Sequence, residues 1–203
     1  VMDCLEQMYP SLDIEEIYHN PSLRGVMDFM EEYPTKKVEH NFPEISLKRG
    51  GVVMELLPKE DPKNLYIGDL TACCQRLGSV GENVCIEGWN DQFSVNYVFK
   101  SATSGKIIAH AWIWEDIKGN FVIDSLEGRA HADISDISGL VSEFSHIVKE
   151  EYGVLTLLSK TSYGMTQDVV YSLQLSEKMV CLDSKTKYTY MDANVNENIY
   201  IVD

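Results

Sequence analysis

The chain has 203 residues, of which 44% are hydrophobic and 24% charged, as expected for an ordinary soluble globular protein with a proper core. Its formal net charge of -15 disfavours nucleic acid and acidic membrane surfaces as partners, because both would repel it. Five cysteines at scattered spacings argue against a disulfide framework and for a reducing compartment, so we expect a cytoplasmic location.

The two parts of the sequence, residues 1–45 and 46–203, differ in their predicted structure. No run of about 18 apolar residues and no positively charged apolar leader is present. The chain begins Val1-Met2-Asp3 without an initiator methionine in first place, which suggests a piece of a longer protein. Residues 1–45 predict a helical N-terminal extension of short acidic helices separated by prolines. Residues 46–203 predict one α/β domain.

From Gly51 onward the sequence predicts strands first and a short helix after them. Val52–Leu57 and Leu65–Ile67 are predicted strands, and Thr71–Leu77 is a predicted helix with Thr71 as its cap. Three antiparallel strands joined by glycine-containing turns follow. Their predicted ranges are Phe93–Phe99, Lys106–Trp114 and Phe121–Leu126.

The second half of the domain alternates helices with strands. The 3.6-residue apolar period from Ile134 to Val148 predicts a long helix that starts at Asp133 or Asp136 and ends at Gly153. After it come a buried strand, a weaker helix and two closing strands. Their predicted ranges are Val154–Leu158, Thr166–Leu175, Tyr188–Met191 and Asn198–Val202.

This order of elements resembles the GNAT acyltransferase fold over roughly residues 64–203, so we expect a mixed α/β sheet built as an antiparallel meander followed by α-β-α-β. The resemblance implies acyl-coenzyme A as donor and a protein or small-molecule acceptor. In that family the turn entering the long helix holds the pyrophosphate, which here implies Gly128, Arg129 and Ala130. A tyrosine of the following helix acts as general acid in that family, and Tyr171 falls at about its position.

Several short motifs in the sequence also resemble those of a bacterial family without a settled activity. They are Thr71-Ala72-Cys73-Cys74-Gln75, Ala111-Trp112-Ile113-Trp114, Asp124-Ser125-Leu126-Glu127 and Tyr190-Met191-Asp192-Ala193. Some members occur inside large proteins of intracellular bacteria, which implies delivery into a host cell as part of an effector. Similar sequences place Gln where this chain has His110.

A thiol enzyme is the competing hypothesis. Cys73 or Cys74 at a helix start, His110 on one strand and Asp124 on the next resemble transglutaminase-like and papain-like enzymes. A helix N-terminus stabilises a thiolate, His moves the proton and Asp fixes its tautomer. A turn centred on Ile117 would place positions 110 and 124 directly opposite each other.

Other side chains complete the list of candidates. Trp112 and Trp114 share one strand face with His110, because side chains alternate along a strand; they are core residues or the wall of a substrate site. Asp124 and Glu127 are ordinary strand-end residues or general bases. The cysteines and His110 lack zinc-site spacing, so no metal is expected. A non-enzymatic interaction module remains the third hypothesis.

Overall fold

The computed structural model describes residues 38–129, 132–159, 165–173, 175–180, 183–185 and 198–203. Most of the predicted helical extension lies outside these residues. The part that is described, residues 38–45, packs on the sheet: the Phe42 ring stacks on Phe121 with centroids 4.6 Å apart. The hydroxyl of Tyr97 donates to the carbonyl of Pro43 at 2.7 Å. The core therefore includes residues that precede the predicted boundary at position 46.

Eight strands of the described chain form one mixed sheet in the order β1-β2-β3-β4-β5-β6-β8-β7. The strands are β1 Ser46–Arg49, β2 Val52–Leu56, β3 Ser94–Ser101, β4 Ile107–Glu115, β5 Phe121–Gly128, β6 Thr156–Ser159, β7 Leu175–Val180 and β8 Asn198–Val202. The helices are α1 Ile67–Thr71, α2 Glu82–Asn90, α3 Ile134–Ile147 and α4 Thr166–Ser172, with a 3-10 turn at Pro62–Leu65 and a π turn at Val148–Tyr152.

The predicted fold class is confirmed by the topology. Strands β1 to β5 pair as antiparallel neighbours, and α3 then returns the chain so that β6 pairs parallel to β5. Helix α4 leads to the last two strands, with β8 between β6 and β7. This is the meander followed by α-β-α-β of the GNAT fold.

The alternation along β4 separates two cores. Ala109, Ala111 and Ile113 pack in the main core against α3, while Trp112 and Trp114 belong to a cluster on the opposite face. The long helix also agrees with the sequence, since Asp133 is its N-cap and Gly153, with φ 67°, ends the π turn that extends it. Its apolar face carries Leu140 and Phe144, which are fully buried.

Some local expectations are wrong. The segment predicted as a strand at Leu65–Ile67 is the end of a 3-10 turn and the start of α1. Helix α1 ends at Thr71, so the predicted helix Thr71–Leu77 does not form, and Ala72 takes the left-handed conformation with φ 63°. Strand β1 and helix α2 were not predicted. The predicted strand Tyr188–Met191 lies outside the described residues.

The expected pairing of His110 with Asp124 is also wrong. In the β4–β5 register His110 lies opposite Glu127. The turn is centred one residue later than Ile117, because Asp116 N donates to Asn120 O across it. A bulge then follows between the pairs Ile113–Ile123 and Trp112–Ser125, and it leaves Asp124 as the extra residue of β5.

Candidate functional site

Strand β5 continues past the end of its pairing with β6. The parallel register runs from Phe121–Thr156 to Ile123–Leu158, and β5 then extends through the Asp124 bulge to Gly128 while β6 ends at Ser159. Among the described residues, none is paired with β5 on that side beyond Ile123. This last stretch, Asp124–Gly128, is the centre of the candidate site and is called the β5 end below.

A chain of hydrogen bonds joins the segment after α1 to the face of the sheet that carries His110. Thr71 Oγ1 lies 3.0 Å from His110 Nδ1, and His110 Nε2 lies 2.9 Å from Gln75 Oε1. Gln75 Nε2 donates to Ser125 Oγ at 3.0 Å. All four side chains are buried. This buried polar network (Thr71, His110, Gln75 and Ser125) therefore fixes the segment against β4 and the β5 end.

The imidazole of His110 is neutral in this network. Burial lowers its pKa from 6.5 to about 3, so it carries no extra proton near neutral pH. An amide oxygen can only accept, so Nε2 donates to Gln75 and Nδ1 is the acceptor that faces the Thr71 hydroxyl. The single proton of that hydroxyl is shared between Nδ1 and Ile67 O, which lies 2.9 Å from Thr71 Oγ1. Both ring nitrogens are thus taken, which leaves neither for Asp124 or for a thiol. His110 is placed to hold the network together.

The thiols lie at the wrong end of a helix for nucleophilic activation. Cys73 and Cys74 follow the C-terminus of α1, where the helix dipole disfavours a thiolate. Cys73 Sγ lies 3.8 Å from Thr71 Oγ1 and accepts from Gln75 N at 3.4 Å. Burial raises the pKa of Cys73 to about 11. Reactivity of either cysteine stays a prediction, and the contacts expected for a Cys-His-Asp triad are not formed.

Asp124 is bound to a tryptophan. Its Oδ1 accepts from Trp114 Nε1 at 3.0 Å, and both residues are buried. The rings of Trp112 and Trp114 pack with Val122 and Leu157 in the cluster on this face of the sheet. The structure thus makes both tryptophans core residues, and a substrate wall formed by them stays a prediction.

Glu127 is the more accessible carboxylate of the β5 end. It is half-buried, whereas Asp124 is 2% exposed. Glu127 lies opposite His110 in the β4–β5 register, so it shares the face of the sheet on which Thr71 and Gln75 contact His110. Of the two predicted general bases, Glu127 is therefore the one that an acceptor can approach.

The start of α3 is occupied by its own carboxylates. Asp133 Oδ1 accepts from Asp136 N at 3.1 Å and caps the helix. Asp136 Oδ2 accepts from Gly51 N at 3.0 Å in the β1–β2 turn. The turn approaches so closely that a Cβ on Gly50 would lie 2.2 Å from Asp136 Oδ2.

The other residues implied for the pyrophosphate are engaged elsewhere. Arg129 Nε donates to Leu70 O at 2.7 Å, and its Nη2 donates to Asp69 O at 3.3 Å, so the guanidinium ties the β5 end to α1. Gly128 permits close packing, since a Cβ there would lie 2.4 Å from Met165 Cε. Ala130 lies outside the described residues. At the start of α3 the N–H of Asp136 is already taken and two carboxylates stand beside it, which disfavours a pyrophosphate there.

Tyr171 is on α4 with 84% of its side chain exposed. Packing therefore does not hold its hydroxyl against the β5 end, and its role as a general acid stays a prediction. Within the described part of the chain, no group of three or more histidine, cysteine or acidic side chains could hold a metal ion. No described helix is long and apolar enough to cross a membrane.

A large cleft of about 890 Å³ lies at the opposite end of the strands. It is lined by residues 38–41 and 44–46, the end of β2, residues 58–60, Gln92 and Phe93, next to the start of β3 rather than the β5 end. Its four glutamates would repel an anionic donor. Lys59 borders it, with its ammonium donating to Ser94 O at 2.9 Å and with a pKa that burial lowers to about 8.

Sequence reasoning missed Gln75 and Ser125 as parts of the site. Both belong to motifs identified in the sequence analysis, Thr-x-Cys-Cys-Gln and Asp-Ser-Leu-Glu, but functional roles were predicted only for the thiols and carboxylates of those motifs. A signal was present in the sequence. A predicted buried strand carries one histidine, His110, and a buried polar group needs partners, which Thr71 and Gln75, four residues apart, can supply.

Comparison with known proteins gives structural likeness only. No protein-family model matches the chain, and no curated protein matches it. Solved structures similar to it include a ribosomal-protein-S5-alanine acetyltransferase from Vibrio fischeri, at 9% identity over 78% of this chain and 94% of that chain, with a TM-score of 0.47. A GCN5-related N-acetyltransferase from Brucella melitensis shares 8% identity over 83% and 82%, with a TM-score of 0.48.

A third similar structure is FdhC, a nucleotide-linked sugar GNAT, at 12% identity over 79% of this chain and 90% of that chain, with a TM-score of 0.49. Identities and TM-scores this low transfer no residue role, donor or acceptor to this chain. The assignment of the GNAT fold rests on the strand order described above.

Proposed function

We propose that this chain is an acyltransferase-like domain that moves an acyl group from a thioester donor to an acceptor. The observation that supports it is the β5 end, where β5 runs beyond its pairing with β6 and carries Glu127. Among the described residues β6 does not continue beside this stretch, so an extended ligand can lie along it. The GNAT resemblance implies acyl-coenzyme A as the donor, and the β5 end is the place for its thioester.

The proposed chemistry needs one base and one polarising group. Glu127 accepts the proton of an acceptor amine. The backbone N–H of Gly128, which by alternation from Arg129 N points away from β4, holds the acyl carbonyl. A new C–N bond then replaces the thioester C–S bond, and the sulfur leaves as the thiol with a proton. The net charge of -15 favours a cationic acceptor, such as a basic protein or a small amine.

The other two hypotheses stand differently. His110 is neutral and has a hydrogen-bond partner at each ring nitrogen, and burial raises the pKa of the Cys73 thiol. Neither observation supports a thiol enzyme. The occupied start of α3 favours a non-enzymatic interaction module as the second candidate. A bacterial effector context rests on the sequence resemblance and is part of the proposal.

The test is thiol release from an acetyl thioester in the presence of small amines. Wild-type protein should release thiol faster than buffer, and Glu127→Gln should lower that rate by about 100-fold or more, as expected for a lost general base. Glu143→Gln is the matched control, because Glu143 is exposed on α3 and keeps the same charge change. No release above buffer with any amine would contradict the proposal and favour the interaction module.

A further inference from the structure

The cleft of about 890 Å³ next to the start of β3 has the size of a ligand site. Sites that bind small ligands usually have volumes of about 300–1,000 Å³. The start of β3 pairs with the end of β4, where Ser94 lies opposite Trp114, whereas the β5 end pairs with the beginning of β4, where Gly128 lies opposite Ala109. A ligand in the cleft is therefore separate from the acyl donor and acceptor proposed above.

The carboxylates of the cleft select a positively charged ligand. Four glutamates line it, and they are Glu39, Glu44, Glu55 and Glu60. Glu55 is paired with Lys100 of β3, whereas the other three are exposed. Negative charges around one cavity attract a cation and repel an anion.

The basic side chains among the described lining residues do not cancel this charge. Lys59 is 5% exposed, and its ammonium donates to Ser94 O at 2.9 Å, so this group is directed into the protein. Burial and the charge of Lys59 lower the pKa of His40 below 6.5, so its imidazole is neutral near pH 7. His40 Nδ1 is buried without a hydrogen-bond partner, and a bound N–H group would supply one.

The spacing of the carboxylates favours an organic cation over a metal ion. Within the described part of the chain, no three acidic, histidine or cysteine side chains form a group that could hold a metal ion. The end of the cleft already accepts an amine from the chain itself, because the ammonium of Lys185 pairs with Glu115 and lies 5.8 Å from the centre of the Phe93 ring. A ligand whose ammonium groups are spaced apart can meet separate carboxylates in turn.

We propose that this cleft binds an organic polycation that carries two or more alkylammonium groups. Glu39, Glu44 and Glu60 pair with the ammonium groups, and His40 Nδ1 accepts from one of their N–H groups. A free polyamine and the lysine side chains of a basic peptide present the same group, so both belong to this class. The site goes beyond the proposed acyl transfer and does not rest on it.

The test titrates two probes separately into the whole chain, diaminopentane and a blocked tetralysine peptide, with calorimetry as the readout. We expect saturable binding of at least one probe with a dissociation constant below about 1 mM. The forms of both probes that are acetylated at the side-chain or terminal amines keep the length but lose the charge, and they should not bind. Binding of diaminopentane indicates a small polyamine as the ligand, whereas binding of the peptide alone indicates a basic protein segment.

A pair of matched variants separates the cleft from the charge of the whole protein. Glu44→Gln/Glu60→Gln removes the two carboxylates whose charges act on His40, and it should weaken binding by about tenfold. Glu143→Gln/Asp168→Asn removes two charges from exposed positions on α3 and α4 and should leave binding unchanged. In wild-type protein the bound probe should slow hydrogen exchange in residues 38–46 and not in residues 121–129, and this measurement needs no variant.

Three results would overturn the polycation site. The first is no saturable binding of either probe. The second is equal binding of the acetylated forms. The third is an equal loss in the two double variants together with no protection of residues 38–46, because the net charge of -15 rather than the cleft would then attract the probes. All three leave the proposed acyl transfer standing, since thiol release tests it separately.

Discussion

The face of β4 and β5 that carries His110 and Trp114, called the inner face below, and the start of α3 are built in opposite ways. On the inner face, Thr71, His110, Gln75 and Ser125 satisfy one another deep in the protein. At the start of α3, Asp133 caps the helix and Asp136 binds Gly51 N in the β1–β2 turn, so an anion there would meet two carboxylates. The difference teaches that strand order can place a ligand site without supplying the chemistry for every part of the ligand.

The largest effect should follow from removing the tryptophan of the inner face. Trp114 is fully buried and donates to Asp124, so Trp114→Ala leaves a cavity and removes one buried hydrogen bond of the Asp124 carboxylate. We expect a loss of about 3–5 kcal/mol in the free energy of unfolding, measured by urea denaturation. Tyr171→Ala, at an exposed position, should change it by less than about 0.5 kcal/mol. Equal losses would contradict the assignment of Trp114 to the core.

Acid should weaken the inner face through His110. Burial lowers the pKa of His110 from 6.5 to about 3, so between these values the unfolded chain binds a proton that the folded chain does not. The contribution of His110 is therefore complete above pH 6.5 and is lost as the pH falls, by up to about 1.4 kcal/mol per pH unit. His110→Gln, which keeps a polar side chain but does not titrate, should flatten this slope in urea melts from pH 7 to about pH 4.5. Parallel profiles would contradict a neutral His110.

The network itself should be sensitive at Gln75. Gln75→Ala removes the partner of His110 Nε2 and of Ser125 Oγ at once, and we expect a loss of about 1–3 kcal/mol in the free energy of unfolding. Gln92→Ala is the matched control, because Gln92 is exposed. A loss at Gln75 no larger than that at Gln92 would show that the network does not hold α1 to the sheet.

The smallest effect should come from the start of α3. Asp133→Ala removes the cap on Asp136 N and should cost about 0.5–2 kcal/mol, whereas Asp133→Asn should cost almost nothing. Thermal melts of the two variants measure the difference. If Asp133→Asn costs as much as Asp133→Ala, the charge rather than the cap matters for stability, and the contrast between the two regions needs revision.

The sequence predicted the elements with a strong pattern. The apolar period of α3 and the glycine turns of the meander identified α3, β3, β4 and β5, and their order was enough for the fold class. Short elements gave weaker signals. The apolar residues at Leu65–Ile67 suit a strand or a helix equally, and only five residues form α1. Helix α2 has no side-chain cap and a weak apolar face, so nothing in its sequence announced it.

The candidate site was harder to predict than the fold. A bulge has no reliable sequence signature. Because of the bulge at Asp124, this residue binds Trp114 instead of lying opposite His110 as predicted. The early end of α1 placed Cys73 at the C-terminal end of a helix instead of the N-terminal end. Both outcomes depend on tertiary packing. The occupied start of α3 was partly foreseeable, because Asp133 stands in the sequence at the helix cap.

The most direct test of the central claim is hydrogen exchange along β5 with and without acetyl-coenzyme A. The account predicts slower exchange in a peptide that covers residues 121–129 and no change in β4 at residues 107–115. Protection that appears only around the cleft lined by residues 38–41, 44–46 and 58–60, or nowhere, would contradict the placement of the donor at the β5 end.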